Sequence, residues 1–172
     1  MPHCRNKQAV IPAIFKRACP ITSGESILFF FFVTLFLLFL FAEIVSSKAT
    51  EYRRVIFPNG VHIKAEVADT RVLRERGLMF REKLSEDSGM LFVFSKAAPH
   101  RFWMKNVKMP LDMIWLDSTK QIIDILDNVP PCLIDPCADF GPEGHAAFVI
   151  ETAGGFAKKN RLARGMRVTF DP

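Results

Sequence analysis

The pattern of hydrophobic and polar positions changes near residue 48. Ile27 to Ala42 is an unbroken apolar run of sixteen residues whose only polar member is Thr34. A helix on a soluble core keeps one polar face, and this run has none. At about 1.5 Å per residue it spans roughly 24 Å, short of a ~30 Å hydrocarbon core, and extension past Glu43 to Val45 supplies the missing turn. Beyond Lys48 the apolar residues come in short runs. Arg53 to Phe57 reads as a strand, and Pro58-Asn59-Gly60 as a hairpin turn with Gly at a positive φ. Val61, Ile63, Ala65 and Val67 then alternate with His62, Lys64 and Glu66, a strand with one buried face. Asp69 or Thr70 can cap a short helix through Arg76, and Gly77 can end it.

Further along, Gly89–Phe94, His100–Lys105, Leu111–Asp117, Gln121–Asp127, Ala147–Thr152 and Met166–Phe170 read as strands, and Gly155–Asn160 as a helical turn. Val129 to His145 is a long loop rich in Pro and Gly, of a length that in a compact domain is functional or needs a staple. About eight short strands with one or two short helices predict a mainly β fold (α+β at most), a small single-domain barrel or sandwich. The predicted organisation is a basic N-terminal region (1–26), an apolar signal or anchor segment (27–45), a linker (46–52) and a β-rich domain (53–172).

The apolar segment fits a cleaved secretory signal, with small residues at Ser46 and Ser47, or an uncleaved anchor; its length and the long region before it favour the anchor. Basic residues are balanced on its two sides, so the positive-inside rule does not orient it. The order of segments and a downstream cysteine pair lead us to expect the C-terminal domain outside the membrane, or secreted if the segment is cleaved.

Net charge is +5, and four of the 23 basic and two of the 18 acidic residues precede Lys48, which leaves the remainder at +3. That is too mild to imply nucleic-acid binding. Cys132 and Cys137 close a short loop; in an oxidising compartment they read as a structural disulfide, with a redox pair the other reading and metal binding disfavoured for want of ligands. No G-x-S-x-G, H-E-x-x-H, P-loop or G-x-G-x-x-G is present, so nucleophilic hydrolysis, nucleotide use and dinucleotide binding have no sequence support. No cofactor is expected.

Three places carry candidate chemistry. Asp112 lies among apolar neighbours; buried alone it would have a raised pKa and act as acid or base, whereas bonded to backbone N–H groups it would fix a loop. In Phe102-Trp103-Met104-Lys105-Asn106, alternation puts Trp103 and Lys105 on one face, as a recognition surface or as a core ring with a snorkelling Lys. Glu151 could work with Asp112 in general acid–base chemistry, or form a salt bridge with Arg76 or Lys105.

Glu66-Val67-Ala68-Asp69-Thr70, Glu75-Arg76-Gly77-Leu78-Met79-Phe80-Arg81, Gly89-Met90-Leu91-Phe92-Val93-Phe94, Phe102-Trp103-Met104-Lys105-Asn106 and Pro110-Leu111-Asp112-Met113 occur in this order. Together with Pro130-Pro131-Cys132, Asp135-Pro136-Cys137, Glu151, Ala153-Gly154 and Gly165, they closely resemble the family of domain of unknown function 192 over roughly residues 53–170. The resemblance implies a small, mainly β single domain, of a kind often preceded by a signal or anchor segment, and carries over no activity or catalytic residue. The chain departs from the family pattern at Lys120, where a turn Gly is usual, at Ala138, where a Pro often follows, and at Met166, where an Asp often follows the Gly. The expected function is a ligand- or partner-binding module of the cell envelope with a surface of Trp103, Lys105, Asn106 and Asp112, joined by Arg76 and Glu151. The alternatives are an envelope enzyme using Asp112 and Glu151 as acid and base, and a purely structural domain.

Overall fold

The computed structural model describes residues 30–36 and 49–170. Residues 30–36 are helical, and the rest of the expected apolar segment lies outside the described residues. Among the described residues no helix is long and apolar enough to cross a membrane.

From residue 49 onward the chain forms one compact unit. Its strands are β1 (Tyr52–Ile56), β2 (His62–Ala68), β3 (Ser88–Ala98), β4 (Phe102–Trp103), β5 (Leu111–Leu116), β6 (Ile122–Val129), β7 (Asp139–Phe140), β8 (Ala146–Ala153) and β9 (Thr169–Phe170); its helices are α1 (Arg71–Arg76) and α2 (Phe156–Lys159). The fold is mainly β, as the strand and turn pattern predicts. Seven strands make one curled sheet in the order β6-β5-β8-β3-β2-β1-β9, and β4 pairs with β7 in a separate ribbon. Neighbours are antiparallel except β2 and β3, which are parallel and joined by the crossover that carries α1. The two edges meet at one end: Gln121 bridges Arg167, the Ile122 N–H donates to the Met166 carbonyl (2.8 Å) and the Val168 N–H to the Lys120 carbonyl (3.0 Å). That seam leaves the sheet a half-barrel with one end laced shut.

The Pro58-Asn59-Gly60 turn forms as expected, with Gly60 at φ +83° and the Phe57 N–H donating to the Val61 carbonyl. Thr70, rather than Asp69, caps α1 by accepting from the Leu73 N–H at 3.2 Å. Gly77 ends the helix at φ +46°, its N–H donating to the Leu73 carbonyl at 2.9 Å. Several elements differ from the sequence reading, and β9 keeps only Thr169–Phe170 of the expected Met166–Phe170 strand. β3 runs on to Ala98, β4 stops at Trp103 because the chain turns at Asn106 (φ +57°), and the long loop holds a ninth strand, β7, fixed by Arg101 on the Asp139 carboxylate. At the altered turn, Lys120 adopts φ +63°, a region where glycine is at ease. The Asp117 carboxylate supports that turn by accepting from the N–H groups of Thr119 and Gln121.

Alternation splits the core into two. On one face of the sheet Leu91, Ile114, Leu116 and Ile150 pack with Val55, Phe57 and Ile63. On the other, Met90, Phe92, Met113, Trp115 and Val149 pack with Leu78, Met104 and Val107. β5 is buried on both faces, which is why its sequence reads as a continuous apolar run broken only by Asp112.

Candidate functional site

The second core face opens at one place. The end of α1 and the turn after it (Arg74 to Met79), Phe92 of β3, Phe102 and Trp103 of β4, Val107 of the following turn, and Glu151 of β8 line a narrow, partly open cleft of about 30 Å³. That is room for about two or three waters. Gly77 suits the cleft wall because of its positive φ; an added Cβ would make only an ordinary contact with the Phe92 ring, at 3.5 Å. Phe92 and Phe102 meet edge to face with centroids 4.8 Å apart, and Phe102 meets Trp115 in the same way at 6.2 Å. This aromatic stack holds one side of the cleft in place.

Glu151 forms the floor. Its neighbours across the sheet are Met90 on β3 and Met113 on β5, so its side chain shares their face. It is 4% exposed, and its carboxyl makes no hydrogen bond or ion pair with any described residue. The flanking thioethers accept only weakly and donate nothing. Burial alone therefore acts on the carboxyl and pushes its pKa up to about 8. The salt bridge to Arg76 or Lys105 expected from sequence is not made. Lys105 is held by Asp135 at 3.1 Å, and Arg76 lines the cleft without pairing to Glu151. Gly89 is required directly behind this floor, since an added Cβ would stand 2.6 Å from the Glu151 carbonyl oxygen and 2.7 Å from Ile63 Cδ1.

Trp103 is half exposed, and Met104 beside it is buried, as the alternation predicts. Trp103 is thus a surface ring and not a core one. The Lys105 ammonium sits 5.7 Å from its ring centroid and bonds Asp135, which belongs to the loop closed by the Cys132–Cys137 disulfide. The Cys132 N–H donates to the Met104 carbonyl. The staple thus steadies the strand that presents Trp103. Asn106 is exposed; its carbonyl accepts from the Phe80 N–H at 2.8 Å, and it shapes the turn without lining the cleft.

Asp112 is fully buried and belongs to a different place. It pairs with Thr152, on the face opposite Met113 and Glu151. Its carboxylate accepts from the N–H groups of Asn128 (2.7 Å), Gly155 (2.7 Å) and Ala157 (2.6 Å), tying the end of β6 to the start of α2. Burial raises its pKa, and the three N–H donors act against that rise. The loop-fixing reading of Asp112 is the one its contacts match. The register does not bring Asp112 and Glu151 together, so a two-carboxylate acid–base pair is not assembled.

Of the residues singled out by sequence, Arg76, Trp103 and Glu151 meet at the cleft, Lys105 supports its rim, and Asn106 and Asp112 lie apart. Sequence reasoning missed Phe92, Leu78 and Val107 as walls. It also missed the Arg81–Glu66 pair, whose two guanidinium nitrogens reach the two carboxylate oxygens at 2.5 and 2.6 Å and anchor the turn beyond α1 to β2. Both partners stood in the quoted motifs. The sulfurs of Cys132 and Cys137 with the Asp135 carboxylate are the one close cluster of metal-type ligands among the described residues, and the disulfide occupies both sulfurs.

The model of domain of unknown function 192, described as an uncharacterized ACR, matches residues 54–170. No curated protein matches the chain. Two solved structures are similar to it. A candidate transcription regulator from Sinorhizobium meliloti 1021 is 33% identical, with a TM-score of 0.63 over 71% of this chain and 94% of that one. A protein of unknown function from Novosphingobium aromaticivorans DSM 12444 is 28% identical, with a TM-score of 0.64 over 73% of this chain and 88% of that one.

Proposed function

The chain belongs to the family of domain of unknown function 192, and we propose that within this fold the cleft over Glu151 makes it a ligand-binding module acting outside the cytoplasmic membrane. One observation carries the reading: a buried carboxyl without a partner among the described residues closes an aromatic-walled cleft that opens to the surface. Leaving such a group unpaired costs about 1–3 kcal/mol. A fold that needed only a filled core would be more stable with an apolar residue there. A ligand's polar tip supplies the missing partner, and the half-exposed Trp103 ring offers a stacking surface at the mouth.

The outside placement draws support from the apolar run 27–45 and from the Cys132–Cys137 disulfide, a bond that persists in oxidising compartments. Regulation of transcription, the role suggested for the Sinorhizobium protein, is not our reading, because the net charge downstream of the apolar run is slight.

Native mass spectrometry of the full chain, purified in mild detergent from its own membranes, tests the proposal. We expect an extra mass on the wild type that disappears on denaturation and is missing from Trp103→Ala and Glu151→Gln. An adduct retained by both variants, or none in the wild type, contradicts it. Alkylation of the same sample before denaturation checks the compartment: Cys132 and Cys137 should resist, and labelling of both would count against the outside placement.

A further inference from the structure

The geometry points to a primary ammonium group on a slender alkyl chain as the ligand tip that the Glu151 cleft takes, an inference that rests on the cleft being a binding site. The cleft is narrow and partly open, with room for about two or three waters, which a slender ammonium tip fits. The floor offers one carboxyl that no described residue bonds. The walls offer aromatic rings at Phe92, Phe102 and Trp103, with Leu78 and Val107 between them. An ammonium brings three N–H donors and a positive charge. The carboxylate takes both, and aromatic rings beside the site favour a desolvated cation. An anionic tip would meet the Glu151 carboxyl instead.

Apart from Glu151, the charged side chains lining the cleft come from α1, namely Arg74, Glu75 and Arg76, and Lys105 at the rim is held by Asp135. β3 and β5 present Met90 and Met113 beside Glu151, and β4 and its turn present Phe102, Trp103 and Val107, none of which titrates. Arg74 is drawn away from the floor: its guanidinium donates to the carbonyls of Asp69 and Val93 and lies over the Phe94 ring. Arg76 is exposed at the rim, where water screens it. Neither cation holds the Glu151 carboxyl ionised in the free protein. An arriving ammonium therefore displaces the carboxyl proton to the buffer, and its binding tightens as pH rises.

The test is calorimetric titration of the full chain in mild detergent with n-butylammonium, butyrate and n-butanol. Butylammonium should bind in preference to the other two, roughly twentyfold more tightly at about pH 8.5 than at about pH 6.5, with proton release at the lower pH. Glu151→Gln should abolish this binding, and Trp103→Ala, a change at a half-exposed ring, should weaken it severalfold. Titration with cadaverine and with an Nα-acetyl-lysine amide separates the sources of such a tip: tighter binding of the first indicates a free amine, of the second a lysine side chain on a partner. Preference for butyrate or butanol, or an amine affinity that falls with pH, overturns the ammonium assignment and leaves the binding cleft standing. No binding of any probe, with the co-purified mass still lost from Trp103→Ala, overturns the assignment alone. No binding and no co-purified mass overturns both.

Discussion

Glu151 makes the stability of the domain depend on pH in a direction opposite to that of a salt-bridged carboxylate. Its carboxyl has an ordinary value of 4.5 and is pushed up to about 8 by burial. Below both values the group is protonated whether the chain is folded or unfolded, and its contribution does not change with pH. Between them the folded chain keeps a proton that the unfolded chain has lost, so stability falls as pH rises. Above about 8 both forms are ionised and the loss is complete. A shift of this size, at about 1.36 kcal/mol per unit, corresponds to about 4–5 kcal/mol, of which about 3 kcal/mol is gone by neutral pH. Glu151→Gln removes the titration while keeping the shape. Urea unfolding followed by fluorescence of the buried Trp115, at several pH values between about 5 and 8, measures both slopes. We expect the wild type to weaken by several kcal/mol more than the variant over this range. Asp112, also raised by burial, acts in the same direction in both proteins and drops out of the difference. Equal slopes in the two proteins would refute the claim that Glu151 is buried without a partner.

The other predictions concern the frame around the cleft. Asp112→Asn replaces two accepting oxygens by one, so at least one of three buried N–H groups loses its partner; urea unfolding should show a loss of about 2–4 kcal/mol. Gly89→Ala forces a methyl against the Glu151 carbonyl and Ile63, and should cost about 2–3 kcal/mol by thermal or urea unfolding, with displacement of β8 visible in amide chemical shifts. Cys132→Ser opens a loop of only a few residues, so the chain-entropy model gives about 2 kcal/mol. Trp103 emission should shift in that variant, because Lys105 loses a fixed Asp135.

How far the sequence could be read depends on which forces act locally. The hairpin at Pro58-Asn59-Gly60 and the helix between Thr70 and Gly77 follow from turn and cap chemistry contained in a few neighbouring residues, and both form where the sequence places them. Alternation in Phe102–Lys105 assigns the faces of Trp103 and Met104 correctly for the same reason. The ribbon of β4 and β7 escaped notice because Asp139-Phe140 is too short to show a period, and Arg101, far away in sequence, fixes it. The cleft was legible only in its parts. Trp103, Arg76 and Glu151 stood out as residue types, but their meeting depends on the β3-β8-β5 register and on where α1 crosses. Glu151 was expected to find a cation. The flanking Val149 and Ile150, one on each face, were the signal that its strand is buried on both sides, where no long basic side chain follows. The same register separates Asp112 from Glu151, and two residues named as one acid–base pair thus lie on opposite faces of the sheet.

The most direct test of the account is a carbon-13 NMR titration of the Glu151 side-chain carboxyl in the full chain, assigned by its loss in Glu151→Gln and repeated with saturating n-butylammonium. We expect titration near 8 in the free protein, with a fall of at least about two units when the amine is bound. Titration of the free protein in the ordinary carboxylate range, near 4.5, would mean a solvated or paired group, and would contradict the claim that this cleft waits for a partner.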